Sequence, residues 1–233
     1  MLSITLLVLS CKKEVGKLSF SEVEITTKNN SIVEVFIPKA LGNTRIGKSI
    51  NLKVENYVAS LLTIGELEVS DESLSITTQI DAFNTEYQNF KKDFPEIPQY
   101  WDAQIDGEVS FQSAEIISIA ITAYLNTGGA HGNTTISFLN FDAATGKEIS
   151  KEKLFTDMDS FKTIAKLYFD EEITDKSILF DPDNFELPVN IGFSEDGVIL
   201  LYNAYEIAPY ATGIIEFKIP FEKVNDYLVF NGL

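Results

Sequence analysis

One histidine (His131), one cysteine (Cys11) and one tryptophan (Trp101) serve 233 residues. Each scarcity excludes something. A zinc site usually takes three or four nitrogen or sulfur ligands, which a single histidine and a single cysteine do not supply, so no metal is expected. A lone cysteine leaves no internal disulfide to propose. A serine–histidine–acid triad has one candidate base, and no G-x-S-x-G elbow accompanies it. Walker and dinucleotide fingerprints are absent, so no cofactor is implied. Asp181-Pro182-Asp183 begins like a calcium loop, but its sixth position is Glu186 instead of glycine and its twelfth is Gly192 instead of glutamate. Basic residues are also few: 18 against 35 acidic ones, a formal charge of −17. That excludes nucleic acid as a partner, because phosphate contacts need clustered lysine and arginine, and it favours a cationic one. No apolar run approaches the roughly 20 residues that span a bilayer.

What is present is an ordinary globular composition, 45% hydrophobic and 23% charged, with the acid spread along the chain instead of gathered in a tail. The opening MLSITLLVLSCKKE is the exception. Leu2–Leu9 is long enough for the apolar region of a secretion signal and too short to cross a membrane. Val8-Leu9-Ser10-Cys11 resembles a bacterial lipobox, in which the cysteine receives lipid and becomes the mature N-terminus, although no lysine or arginine precedes the apolar run. The expectation is a signal peptide over 1–10, lipidation at Cys11, a tether over 11–17 with Lys12 and Lys13 at the headgroups, and an extracytoplasmic, membrane-anchored location. Two or more acyl chains anchor a protein stably.

Periodicity predicts the elements. Residues 18–27 and 31–38 read as a hairpin around Lys28-Asn29-Asn30, with Pro38 ending the second strand. Ile46, Ile50, Val54, Tyr57, Leu61 and Ile64 form one helical stripe; Ile76, Ile80, Phe83, Tyr87, Phe90 and Phe94 form another, with Asp71 or Ser73 as its cap. Pro95 and Pro98 suggest a module boundary. Thereafter the period is two, with strands expected over 100–112, 115–125, 134–142, 188–193, 197–205 and 213–219. The strand 115–125 is apolar on both faces, so it is expected to be covered on both. Residues 157–173 read as a helix and 221–230 as a short closing one. The sum is an α+β fold: a mainly antiparallel sheet with helices packed on it, in two closely associated modules, 18–98 and 99–233.

Two segments stand out. In NTGGAHGNTT (126–135), Gly128, Gly129 and Gly132 permit positive φ or close approach of other atoms, and they surround His131. Either His131 and Asn133 hydrogen-bond nearby backbone and pin a tight loop, or the loop presents His131 to a partner. In LYNAYEIAPYATG (201–213), Tyr202, Tyr205 and Tyr210 crowd around Glu206. Tyrosines combine apolar area with a hydroxyl, which suits recognition, and they equally suit a sheet corner packing its own aromatics. A catalytic alternative would use His131 with Glu206 as acid and base on cell-wall sugars.

YLNTGGAHGN (Tyr124–Asn133), FDAATGKEIS through Phe155, and YEIAPYATG (Tyr205–Gly213) resemble, in this order, the extracytoplasmic domain of unknown function shared by the anti-sigma factor RsiV and the noncatalytic part of the deacetylase PdaC. Val33–Val58 is similar to the smaller α/β module that precedes it. The resemblance implies two α+β modules packed as one unit, and a binding role, since this region of RsiV binds lysozyme. A lysozyme-like cationic protein or peptidoglycan is then the expected partner. The expected ligand-binding residues are Tyr124, Gly128, Gly129, His131, Asn133, Tyr205, Glu206 and Tyr210, with no catalytic residue assigned. The 233 residues hold neither a membrane-spanning run nor a deacetylase domain, so RsiV signalling and PdaC catalysis are not implied. A glycan-modifying enzyme or a purely structural envelope lipoprotein are the alternatives.

Overall fold

A computed structural model describes residues 17–42, 44–65 and 75–230. The expected signal peptide, Cys11 and the tether up to residue 16 lie outside the described residues, as do the expected caps Asp71 and Ser73.

The first unit is a five-stranded sheet in the order β1-β2-β3-β4-β5. Its strands are β1 (Phe20–Glu24), β2 (Val33–Ala40), β3 (Asp102–Gln112), β4 (Ile116–Asn126) and β5 (Asn133–Asp142). The expected hairpin forms, pairing Phe20 with Ala40. Pro38 does not end β2, which runs on to Ala40. The bonds Ile25 N–H to Val35 O and Leu41 N–H to Ser19 O aim the odd residues of β2 at β1. The Pro38 nitrogen therefore faces β3, whose pairing with β2 stops at Phe36–Asp106, so no ladder donor is lost.

Between β2 and β3 the chain makes two helices, α1 (Arg45–Leu61) and α2 (Ile76–Asp93). Thr44 caps α1 by accepting from Gly47 N–H at 3.0 Å. The predicted stripes bury Ile50, Val54, Ile80 and Phe83 against Val35, Ile105, Ile119 and Phe141 of the sheet. Ile64 lies beyond the end of α1. This crossover returns the chain so that β2 and β3 pair in parallel, Val33 opposite Ala103; among the described residues every other strand pairing is antiparallel. The seam expected at Pro95–Pro98 therefore falls inside one sheet and one core; the second core is built mainly from residues after β5, with Phe111 and Ile116 reaching it from the first sheet.

The second unit is a three-stranded sheet, β6 (Asn190–Ser194), β7 (Gly197–Tyr202) and β8 (Ile215–Ile219), with α3 (Met158–Glu172) and the short α4 (Phe221–Val224) against it. Its strands are shorter than expected, and Tyr205 lies outside them. Asp157 starts α3 by accepting from Ser160 N–H at 3.0 Å.

The two units meet on the side of the five-stranded sheet away from α1 and α2. Ser118 Oγ accepts from Phe193 N–H, and Asn140 donates to Ile191 O at 2.8 Å. A bulge between Val109 and Phe111 makes the same contact possible for β3: Val109 packs in the first core, whereas Phe111 is turned into the second. β4 is thus covered on both faces along Ile116–Ile121, as its two apolar faces require.

Candidate functional site

At its far end the β4–β5 pair leaves this cover. Its connection is the glycine loop, and the loop's centre is Gly132. Gly132 is buried while His131 and Asn133 on either side are exposed. The hydroxyl and ring edge of Tyr124 lie where a side chain at 132 would begin, so no larger residue fits without displacing that ring. The Gly132 carbonyl accepts from Tyr210 Oη–H and from His131 Nδ1–H, both at 2.9 Å. A carbonyl only accepts, so the neutral imidazole carries its proton on Nδ1 and leaves Nε2 as an acceptor. His131 and Tyr210 stack with centroids 3.8 Å apart and an interplanar angle of 20°, and Tyr205 extends the group 5.5 Å beyond Tyr210.

The tyrosine corner is held to the edge of β5 by side chains. Asn203 donates to Ile136 O at 2.9 Å and accepts from Ile136 N–H at 2.8 Å, so its amide takes the place of a neighbouring strand. Glu206 closes the corner: one carboxylate oxygen accepts from Val189 N–H at 2.8 Å, the other from Asn203 N–H at 2.9 Å. Within this turn Tyr205 adopts φ 68°, a left-handed conformation that costs a bulky residue about 1–3 kcal/mol and persists where surroundings enforce it. The result keeps Tyr205 58% exposed. Tyr202 is buried beneath and donates to Glu186 O at 2.6 Å. Burial, reinforced by the carboxylates of Glu206 and Glu186, raises its hydroxyl far above the usual tyrosine range, so it stays neutral.

The structure therefore brings Tyr124, His131, Tyr205 and Tyr210 to one place. Glu206 sits at the same corner as a backbone clamp, with both oxygens taken. Gly128 has φ +83° and backs onto Gln99 and Trp101 on the other flank of the loop. Gly129 needs neither positive φ nor unusual proximity. Asn133 opens β5 opposite Leu125. One participant is invisible in the sequence: Asn203, because an edge-capping amide has no local pattern. Gly132, one of the three glycines that permit close approach, is the point on which three side chains converge. Among the described residues no helix is long and apolar enough to cross a membrane.

Comparison with known proteins agrees with this architecture. Residues 25–134 match the family model described as "Deacetylase PdaC", and residues 133–222 match "Protein of unknown function (DUF3298)". The chain is 26% identical over 117 residues to immunogenic protein MPT64 of Mycobacterium tuberculosis and, with the same figures, to MPB64 of Mycobacterium bovis; the match takes in 48% of this chain and 51% of theirs, so it spans about half the length of these relatives. In structure it is similar to a DUF3298 family protein from Pseudomonas aeruginosa PAO1, with TM-score 0.60 and 21% identity, and to one from Bacteroides fragilis, with TM-score 0.58 and 19% identity. Both alignments cover 92% of this chain and 94% of the other. The two family matches adjoin at the end of the glycine loop, so His131 lies in the first and Tyr210 in the second, and the aromatic stack joins a residue of the PdaC-type match to one of the DUF3298 match.

Proposed function

We propose that this protein is a lipid-anchored component of the bacterial envelope that binds a protein or cell-wall glycan ligand, without turnover, on the surface where the glycine loop meets the tyrosine corner. The observation that carries the reading is the His131–Tyr210 stack, held by two hydrogen bonds to one buried carbonyl and extended by the exposed ring of Tyr205. Rigid aromatic rings with polar tips supply contact area at small entropic cost, which is the chemistry of recognition surfaces. The engagement of both Glu206 oxygens by backbone donors favours binding over acid–base catalysis there. The lipobox-like Val8–Cys11 supports the anchor, and the resemblance to the RsiV ectodomain supports a lysozyme-like protein or peptidoglycan as ligand.

Calorimetric titration of residues 16–233 with lysozyme and with peptidoglycan fragments tests it. Heat with one of them, lost in His131→Ala and Tyr210→Ala, is the expected result; no heat with either sinks the reading. Incorporation of labelled palmitate by the wild type and not by Cys11→Ser checks the anchor.

A further inference from the structure

Next to the tyrosine corner, three large apolar side chains stand in the open: Phe180 at 60%, Val189 at 72% and Tyr205 at 58% exposure. Scattered exposed residues need no explanation, but these three are gathered on one corner by named bonds. Phe180 N–H donates to Ile207 O at 2.9 Å, and Val189 N–H donates to Glu206. Beside Phe180 lies a cavity of about 210 Å³. Its apolar wall is built by Phe169, Phe180, Tyr202 and Ile207, and its carboxylates are Asp181, Glu186 and Glu206.

That pairing of aromatic wall and carboxylate rim has a definite complement. A long basic side chain lays its methylene stem on apolar surface, its charged head is attracted to an aromatic face, and it ends at a carboxylate. The protein already uses the wall this way from within: Lys176 Nζ sits 4.1 Å from the centroid of Phe169 while pairing with Asp170 at 2.8 Å. Lys162 occupies Glu186 at 2.6 Å, and Glu206 accepts from two backbone donors. Asp181 and its neighbour Asp183 are in no ion pair among the described residues. The whole chain, at −17, adds long-range attraction for the same sign of partner.

We infer that the Phe180 cavity receives an arginine or lysine side chain of a basic polypeptide, so that the ligand of this face is a protein and not a glycan. The inference rests on the reading of this corner as a binding surface, and it adds a site that neither the glycine loop nor the aromatic stack contains. The charge accounts for steering and the cavity for selectivity. A neutral glycan could donate hydroxyls to Asp181 and pack on Phe180, but it would leave the carboxylate charge unneutralised and draw nothing from the net charge of −17, whereas a basic side chain uses both.

The test uses the full chain and a fluorescently labelled hexa-arginine peptide, read by polarisation at physiological salt. Phe180→Ser and the pair Asp181→Asn/Asp183→Asn should each weaken binding roughly tenfold, the scale of a cation–π contact or a close charge pair. Glu22→Gln/Glu24→Gln removes the same charge from exposed positions on β1, the far edge of the five-stranded sheet, and should change binding less than twofold. All these positions are exposed, so the fold survives the changes. Equal losses from the two double variants would reduce the effect to net charge and overturn the cavity. So would an unaltered affinity in Phe180→Ser, or displacement of lysozyme by peptidoglycan oligomers and not by hexa-arginine. His131→Ala separates the two claims: loss of lysozyme binding in that variant alone, with Phe180→Ser silent, keeps the stack and removes the cavity. Loss in Phe180→Ser alone does the reverse.

Discussion

The β4–β5 pair has two ends that share one hydrogen-bond ladder and little else. From Ile116–Asp142 to Ile121–Ser137 it is sandwiched between the α1–α2 layer and the second sheet, and its inward residues are sealed. From Tyr124–Thr134 onward it emerges, and its loop is held by a few polar and aromatic contacts to the tyrosine corner. The buried end is fixed by area removed from water. The emergent end is fixed by directional contacts that leave much of each ring exposed. A rigid base under an open rim is the arrangement expected of a binding loop on a scaffold.

The comparison can be broken at the base first. Phe193→Ala and Phe141→Ala, each opening one of the two cores, should lower stability by about 3–5 kcal/mol in urea unfolding. A loss below about 1 kcal/mol would mean that the core is not closed there. Next come the polar links between sheets. Ser118→Ala leaves the Phe193 N–H buried without its acceptor and should cost about 1–3 kcal/mol. At the rim, Tyr210→Phe keeps the stacked ring and loses only the bond to Gly132, so about 0.5–1.5 kcal/mol is expected. Under the proposed function, ligand affinity is the more sensitive readout there.

The smallest effect concerns acid. Carboxylates held below their usual range lie in the second unit: Asp157 through bonds from the Ser160 N–H and hydroxyl, Asp170 through Lys166 and Lys176, Asp175 through Ser177, and Glu152 through its own backbone N–H and Ser150. A depressed folded value means that the stabilisation is fully present above the unfolded value, about 4, and is lost as pH falls through the lower folded one. Acidification below about pH 4 should therefore speed amide exchange in α3 before α1. Emission from Trp101, which packs against α2, should change last. Simultaneous loss in both helices would show the two units to be a single acid-labile body.

Much of the scaffold was readable. The hairpin, the stripes of α1 and α2, α3 and the double-sided burial of β4 follow from spacing alone, since period and face are local properties of a chain. The parallel pairing of Val33 with Ala103 was not, because it depends on how two intervening helices pack. The bulge that turns Phe111 into the second core was equally invisible: strict alternation would have kept it beside Val109. At the candidate site, the glycine loop and the tyrosine segment announced themselves by composition. Asn203 and Phe180 did not, since capping a distant edge and standing exposed are facts about neighbours, not about the residue.

The chain's own order of residues settled which segments extend, which coil and where the turns fall, because steric preference and apolar period act over a few residues. It also determined the negative charge that favours a basic partner. Only the packing of one sheet on another decided that His131 would lie on Tyr210 and that both would bond a carbonyl 78 residues from the latter. Such contacts between distant parts of a chain exist once burial has brought the two sheets together, and no local rule specifies them.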